Sequence, residues 1–388
     1  MVSKTKKKHN RTRKYSIYIL YTGGTIGMSH SARSGLIPKR HLFNDLVRDL
    51  HIPKYVNVAY KIDTLPEVID SSNIQSRNWL EILRNLKANY SKYDSFIIIH
   101  GTDTLSYTAS LLSFFCKDWT KTIIVTGSQV PMFEFRNDAV KNIRDSIILS
   151  LYSIPQVLIV FGGSILRANC TTKYSSTSFQ AYRSPNIEPL GEFGVSLNLD
   201  YSEIQKGIVP KNRFIKKHLP NSIRVDDWHD DINILVITLV PGMTWKDKIS
   251  SVFASGIPRA IILRSYGIGN APVASDDFIA FLNLAGKHNI IVVNSTQCYD
   301  GGVNMDYYET GRVLLEYGVV DPGIMTFEAI YTKLFYLFQV LEAEDAPLIK
   351  KLFITNIAGE ITRQNRYTNL RKTIKKINRR MFYQYQEL

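Results

Sequence analysis

Short apolar runs alternate with amphipathic stretches along most of this chain. Runs of this kind predict buried strands: Tyr15 to Leu20, Val56 to Ile62, Phe96 to Ile99, Thr122 to Val125 and Val157 to Phe161. Helical spacing lies between them, in His41 to Leu50, Trp79 to Tyr90, Ser106 to Phe115 and Asn137 to Leu149. Strands that alternate with helices predict a parallel sheet with crossover helices, in a doubly wound arrangement.

The same alternation resumes in a second, smaller unit. Its predicted strands are Ile232 to Leu239, Ala260 to Leu263 and Ile290 to Val293, and its predicted helices are Asp276 to Ala285 and Thr326 to Leu341. Residues 206–231 lack periodicity and hold prolines and paired aspartates, so they are the predicted linker. The predicted fold class is α/β, with a larger N-terminal domain at 15–205 and a C-terminal α/β domain at 232–360.

The formal net charge of +14 is concentrated at the two ends of the chain. Residues 1–14 hold seven basic residues and no acidic one, and residues 361–388 hold eight basic residues and one acidic one. The part between them is balanced, at 33 of each sign. Two basic tails are therefore predicted, the second amphipathic, and either of them could contact a polyanion or simply be solvated.

Three cysteines, Cys116, Cys170 and Cys298, show no metal-ligand spacing, so neither a disulfide framework nor a zinc site is expected. A basic start followed by an apolar run imitates a signal peptide, but the run is too short and lacks a small-residue cleavage site. No apolar run approaches the length of a membrane span. These features favour a reducing compartment.

Hydroxyl side chains follow several of the predicted strands. The turn Tyr21-Thr22-Gly23-Gly24-Thr25-Ile26-Gly27 follows the first strand, and His100-Gly101-Thr102-Asp103-Thr104 follows the third. Ser71 and Ser72 follow the second strand, and Lys173 comes after the last strand of the first unit. In a parallel sheet these residues converge on one carboxyl edge, where open α/β sheets bind ligands.

This convergence is a candidate catalytic site. A threonine hydroxyl is a weak nucleophile until a base removes its proton, and a desolvated lysine or an aspartate can serve in such a relay. Each residue alone also has a structural interpretation. Thr25 could be a turn residue, Thr102 and Asp103 a helix cap, and Lys173 a surface charge. Only their joint arrangement favours catalysis.

The two threonine turns resemble the signature motifs of the L-asparaginases. The strings Val125-Thr-Gly-Ser-Gln129, Ile262 to Pro272 (ILRSYGIGNAP) and Asn294-Ser-Thr-Gln-Cys298 resemble the type I, cytoplasmic branch of that family. The resemblance extends over roughly residues 15–355. It implies a cytoplasmic enzyme that hydrolyses the side-chain amide of L-asparagine to L-aspartate and ammonia, with neither a metal nor an organic cofactor.

The resemblance also assigns roles to residues. Thr25 would be the nucleophile that forms an acyl-enzyme, and Thr102, Asp103 and Lys173 would form the proton relay. Ser71 and Ser72 would bind the substrate α-carboxylate, and Asp103 would also meet the α-ammonium group. In many members a tyrosine of the lid loop, two residues before a proline, assists the nucleophile. The aligned residue here is Leu36, which has no hydroxyl, in the predicted lid at 28–38.

Type I relatives imply a homodimer or a homotetramer and, in some cases, a second asparagine site that activates the enzyme. Thr172, Arg264 and Cys298 match positions of that site. Two alternatives stay open. The absence of the lid tyrosine would suit a catalytically impaired asparagine-binding protein. The basic tails would suit an ammonia-supplying component of a tRNA-dependent amidotransferase, although only about 14 residues precede the first strand.

Overall fold

The computed structural model describes residues 14–31, 35–38, 57–210, 212–220, 225–254, 256–342 and 345–361. The predicted helix at 41–50 and nearly all of the two predicted basic tails lie outside these ranges. Within them the chain forms β1 (Tyr15–Gly23), β2 (Met28–Ser31), β3 (Gly35–Pro38), β4 (Val58–Ile69), β5 (Ser95–Ile99), β6 (Ile123–Thr126), β7 (Val157–Phe161), β8 (Ser164–Arg167), β9 (Thr172–Lys173), β10 (Tyr182–Arg183), β11 (Gly191–Phe193), β12 (Leu197–Leu199), β13 (Ile234–Thr238), β14 (Ala260–Ser265) and β15 (Ile291–Thr296).

Helices lie between the consecutive strands β4 to β7 and β12 to β15 and after β15. They are α1 (Ser76–Asn89), α2 (Leu105–Phe115), α3 (Ala139–Ser150), α4 (Tyr201–Lys206), α5 (Arg213–His218), α6 (Trp245–Ala254), α7 (Asp276–Lys287), α8 (Glu309–Glu316), α9 (Phe327–Val340) and α10 (Ala346–Phe353). Short 3₁₀ turns lie at Thr25–Gly27, Ser71–Asn73 and Ala168–Cys170. Helix α5 falls inside the predicted linker.

The larger sheet has eight strands in the order β12-β11-β8-β7-β6-β5-β1-β4. Five neighbouring strands of this sheet, β7, β6, β5, β1 and β4, pair in parallel. Strands β8, β11 and β12 extend the sheet in antiparallel fashion. The smaller sheet is parallel throughout, in the order β13-β14-β15. The prediction of an α/β fold with a larger, mainly parallel sheet and a second, smaller one is confirmed.

The sequence of β1 is apolar at almost every position because both faces of this strand are buried. Tyr18 and Leu20 enter the core cluster on one face of the sheet, while Ile17, Ile19 and Tyr21 enter the cluster on the other face. A strand covered by helices on both faces has no polar side, so it reads as a continuous apolar run. The same packing applies to the apolar residues of β5.

Helix α9 packs between the two sheets, against α2 of the first unit and β13 and β15 of the second. Its residue Lys333 is fully buried and pairs with Glu360, which is fully buried as well. Glu360 also accepts hydrogen bonds from the backbone N–H groups of Ile357 and Ala358, at 2.9 and 2.7 Å. The last described residues of the chain are thereby tied to the middle of the molecule.

Candidate active site

The turn after β1 and the turn after β5 touch through their backbones. Gly24 has a φ of +88°, which only glycine adopts without strain, and a Cβ placed on it would lie 2.3 Å from the Cα of Gly101. Gly101 is confined in turn by Ser71, whose Oγ would be 2.6 Å from a Cβ there. The glycines therefore bring the segments carrying Thr25, Thr102 and Ser71 into contact.

Three hydrogen bonds fix the turn that presents Thr25. Thr22 donates its hydroxyl to the carbonyl of Ile99 at 3.0 Å, and the Gly24 N–H donates to the carbonyl of Ile69 at 3.1 Å. On the other side, the N–H of Met132 donates to the carbonyl of Ile26 at 3.1 Å. Thr25 itself is partly exposed at the start of its 3₁₀ turn. A hydrogen-bonded backbone thus holds a partly exposed threonine.

Lys173 contacts both of the other residues of the predicted relay, Thr102 and Asp103. Its ammonium group donates to Thr102 Oγ1 at 2.9 Å and to Asp103 Oδ1 at 2.8 Å. The Lys173 side chain is 16% exposed and that of Asp103 is 63% exposed. Lys173 is therefore not a surface charge, and the carboxylate of Asp103 stays open to a ligand.

The helix-cap interpretation of Thr102 and Asp103 is wrong. Helix α2 has Thr104 at its N-cap and no side-chain capping hydrogen bond. The hydroxyl of Thr102 is instead in contact with the Lys173 ammonium group. Because the Thr102 hydroxyl is not used to cap the helix and contacts the Lys173 ammonium group, it is available for proton transfer.

The two predicted carboxylate-binding serines differ in their surroundings. Ser71 is buried, and its Oγ accepts the N–H of Asp103 at 3.2 Å, while its carbonyl accepts the hydroxyl of Thr104 at 2.8 Å. Ser72 is exposed, and its N–H donates to Asp70 Oδ1 at 3.1 Å. The structure places Ser71 beside the turn that carries Thr102 and Asp103, with the hydroxyl hydrogen of Ser71 still able to donate.

A buried histidine network, which the sequence did not suggest, supports the relay turn. His100 Nδ1 lies 2.8 Å from the Gly101 carbonyl, and its Nε2 lies 2.9 Å from Thr108 Oγ1, which also accepts the indole N–H of Trp79 at 3.0 Å. Burial lowers the pKa of His100 to about 4. Because a carbonyl only accepts, the neutral ring must carry its proton on Nδ1 and accept from Thr108 on Nε2.

Tyr182 is a second supporting residue that sequence reasoning missed. Its phenol donates to the main-chain carbonyl of Thr102, and its ring packs edge-on against Phe161, with the centroids 4.9 Å apart. Burial raises the pKa of Tyr182, so the phenol stays protonated and can keep donating. Tyr182 lies on β10, which pairs directly with Lys173 on β9.

The backbone of the predicted lid forms a hairpin directly after the Thr25 turn. Strand β2 pairs with β3 in antiparallel register, and Leu36 is opposite His30. The residue aligned with the lid tyrosine thus lies on the second strand of this hairpin.

Thr172, Arg264 and Cys298 line one cavity of about 300 Å³, together with Lys173 and Glu328. The Arg264 guanidinium stacks on the ring of Phe327, 5.0 Å from its centroid. The buried Nε of Arg264 has no hydrogen-bond partner among the described residues. The three predicted residues of the second site are therefore brought together around one cavity.

Within the described ranges, no set of three or more His, Cys, Asp or Glu side chains is arranged to hold a metal ion. The helices of those same ranges are too short or too polar to cross a lipid bilayer.

Fold and site together define an α/β protein that carries threonine hydroxyls, a lysine and a carboxylate at the carboxyl edge of a parallel sheet. The family model described as "Asparaginase, N-terminal" matches residues 16–205, and that described as "Glutaminase/Asparaginase C-terminal domain" matches residues 233–353. The chain is 37% identical to L-asparaginase 1 of Escherichia coli K12, over 90% of this chain and 98% of that protein.

The chain is also similar in structure to L-asparaginase I of Vibrio cholerae, with a TM-score of 0.76 and 33% identity, over 90% of this chain and 99% of that one. It is 26% identical to a glutamyl-tRNA(Gln) amidotransferase component of Pyrococcus horikoshii, over 90% of this chain and 78% of that protein. This chain belongs to the asparaginase family, and it is an amidohydrolase that resembles the type I branch.

Proposed function

We propose that this enzyme hydrolyses the side-chain amide of L-asparagine to L-aspartate and ammonia. The observation that carries the proposal is the Lys173 ammonium group held between Thr102 and Asp103, next to the turn that presents Thr25. The names of the relatives in E. coli and V. cholerae support the choice of substrate.

The proposed reaction has two halves. The hydroxyl oxygen of Thr25 attacks the carboxamide carbon, the C–N bond breaks, and the proton of the hydroxyl reaches the leaving ammonia through Thr102 and Lys173. Water then attacks the ester, the bond to Thr25 breaks, and Thr25 recovers a proton. Backbone N–H groups of the two glycine-containing turns stabilise the oxyanion in both halves, a contribution that is often the largest in acyl transfer.

Substrate binding uses the remaining residues of the edge. Ser71 and Ser72 donate to the α-carboxylate, and the exposed carboxylate of Asp103 accepts from the α-ammonium group. Because Lys173 contacts Asp103 Oδ1, the Oδ2 oxygen is the one left for the substrate. The substrate is thus held at the same residues that move the proton.

The test is steady-state ammonia release from L-asparagine by the purified protein. Thr25→Ala should lower kcat by roughly 10³-fold or more, because the nucleophile is removed. Thr25→Ser keeps a hydroxyl and should retain part of the activity. Unchanged ammonia release by Thr25→Ala would overturn the assignment of the nucleophile.

The same assay separates the two alternatives. Binding of asparagine by the wild-type protein without turnover would select the catalytically impaired binding protein. Ammonia release that requires an aminoacylated tRNA would select the amidotransferase component. The complete relay of Thr102, Asp103 and Lys173 favours turnover without a partner.

We also propose that the cavity at Arg264 binds asparagine as an activator. The specific support is that Arg264 lines this cavity together with Thr172 and Cys298, since a guanidinium binds a carboxylate through paired donors. Rates measured over a wide range of asparagine should be sigmoidal, and Arg264→Ala should make the curve hyperbolic. Arg264→Lys is the matched control that keeps the charge. A hyperbolic wild-type curve would count against this second site.

The assembly and location are proposals as well. We propose a homodimer or homotetramer in the cytoplasm, on the strength of the type I similarity. Light scattering coupled to gel filtration measures the molar mass in solution. A molar mass equal to that of a monomer would exclude the proposed oligomers. Contact of the basic ends with a polyanion is a further proposal, and retention on heparin before and after their removal would test it.

A further inference from the structure

Glu328 places a buried carboxylate between two segments of the candidate active site. Its side chain lies in the first turn of α9, and the residue is 6% exposed. Its Oε1 accepts the hydroxyl of Thr172 at 2.6 Å and the hydroxyl of Ser106 at 3.3 Å. One carboxylate oxygen therefore joins two chain segments that are far apart in sequence.

Both hydroxyls belong to segments that carry the relay. Ser106 lies in the first turn of α2, directly after the turn with Thr102 and Asp103, and Thr172 is the neighbour of Lys173. Strand β9 is only two residues long and pairs with two residues of β10, so sheet pairing alone gives Lys173 little support. The 2.9 Å contact between Lys173 Nζ and Thr102 Oγ1 spans the same two segments.

Burial of the negatively charged Glu328 side chain costs free energy, and its hydrogen-bond partners reduce that cost. Burial raises the pKa of Glu328, and the hydrogen bonds from Thr172 and Ser106 and the positive charge of Arg264 oppose that rise. The first turn of a helix is also a favourable place for a negative charge. A side chain without an acceptor oxygen at this position would release both hydroxyls.

We infer that Glu328 is a positioning residue, which fixes the distance between Lys173 and Thr102 by holding Thr172 and Ser106 together. The inference rests on the proposed function for its kinetic consequence. A displacement of about 1 Å in a catalytic group can cost on the order of 10²-fold in rate. Binding of asparagine at the serines and Asp103 does not depend on this contact.

Glu328→Ala should therefore lower kcat for asparagine by roughly 10- to 100-fold with little change in KM. Glu328→Gln keeps one acceptor oxygen and should recover most of the lost kcat. The pair of variants separates the loss of the acceptor from the loss of the charge.

Thr332 provides a matched control on the same helix. It lies one turn further along α9, is fully buried, and contacts Ser110 on α2 at 2.8 Å. Its hydroxyl also donates to the main-chain carbonyl of Glu328. Thr332→Val removes this α2–α9 hydrogen bond and the one to the Glu328 carbonyl, but it leaves the Glu328 carboxylate and its contacts with Thr172 and Ser106 in place. It should lower Tm, as Glu328→Ala does, and leave kcat unchanged.

Two results would overturn the inference. One is a kcat for Glu328→Ala within twofold of wild type, and the other is an equal loss of kcat in Thr332→Val, which would mean that general helix packing is responsible. Failure of the proposed function looks different, because wild-type protein would then release no ammonia from asparagine.

An activity-independent measurement tests the positioning in either case. Acetic anhydride labels amines, and mass spectrometry of the peptide containing Lys173 gives the extent of labelling. Glu328→Ala should increase labelling of Lys173 several-fold over wild type, because the amine loses its fixed contact with Thr102. Glu328→Gln and Thr332→Val should label as wild type does. Equal labelling in Glu328→Ala and wild type would contradict the inference.

Discussion

Gly24 shows how a residue without chemistry of its own governs the site. A Cβ at this position meets two atoms of Gly101, Cα at 2.3 Å and N at 2.5 Å, and both belong to backbone that cannot rotate away. The positive φ adds strain for any L side chain. The turn that carries Thr25 and the turn that carries Thr102 can therefore approach closely because neither Gly24 nor Gly101 has a side chain.

Gly24→Ala should destabilise the protein by about 3 kcal/mol or more and abolish ammonia release, because the two turns must separate. Urea unfolding and steady-state kinetics measure the two effects. Gly242→Ala is the control, since Gly242 has a similar φ of +80° but open space around it. That variant should cost about 1 kcal/mol. Equal costs for the two variants would show that only backbone strain matters.

The position of some site residues can be predicted from the sequence, and that of others cannot. Thr25, Thr102 and Asp103 follow the neighbouring parallel strands β1 and β5, so the topology alone brings them to one edge. Lys173 lies on β9, after the antiparallel strand β8, and its contact with Thr102 is shown only by the three-dimensional structure. His100 and Tyr182 carry no such signal, because a histidine within a buried turn and a tyrosine in an irregular stretch serve many purposes. Their roles depend on which carbonyl each one faces, and only the three-dimensional structure shows that.

Hydrophobic periodicity predicts the helices and strands that bury one face or both faces. The predicted start of the amphipathic helix α1 lies within three residues of the observed one, and the predicted bounds of β7 are the observed bounds. Strand β4 runs to Ile69, beyond the prediction, because its later part is mixed in polarity. Helices α4, α5, α6, α8 and α10 have no predicted counterpart, since each has ten residues or fewer and lies near turn-forming residues.

The His100 network joins three elements, and it makes their association sensitive to acid. The pKa of His100 is about 4 in the folded protein and about 6.5 in the unfolded chain. As the pH falls below about 6.5, the unfolded chain gains a proton that the folded protein does not bind. Unfolding therefore becomes easier down to about pH 4, by up to roughly 3 kcal/mol.

His100→Asn should remove this dependence, because asparagine does not titrate. The measurement is the free energy of unfolding in urea at about pH 7 and about pH 4.5 for both proteins. Wild type should lose more stability between the two values than the variant does. Parallel losses would show that His100 is not responsible for acid sensitivity.

The buried ion pair of Lys333 and Glu360 fixes the last described residues of the chain to the centre of the molecule. Arg167 and Asn169 donate to the carbonyls of Gly359 and Ala358, so the same segment also contacts the first unit. Asn169 lies in the short turn that leads to Lys173. The last described residues therefore contact the turn that precedes Lys173.

Removal of one partner from a buried ion pair leaves the other charge unpaired and costs about 3–5 kcal/mol. Lys333→Met should lower the free energy of unfolding by that amount, as measured by chemical denaturation. The double variant Lys333→Met with Glu360→Gln should recover part of the loss, because no charge then stays buried. A double variant less stable than the single one would mean that packing, and not charge, dominates.

The contact between Gly24 and Gly101 also has a consequence for the way in which the enzyme folds. The two residues belong to turns after β1 and β5, which are neighbours in the sheet but are separated in sequence by β2, β3, β4 and α1. Parallel pairing closes a long loop, and contacts of this kind form slowly compared with local helices. The catalytic edge is thus assembled only after the crossover is complete, so a partly folded chain can hold most of its helices while it has no active site.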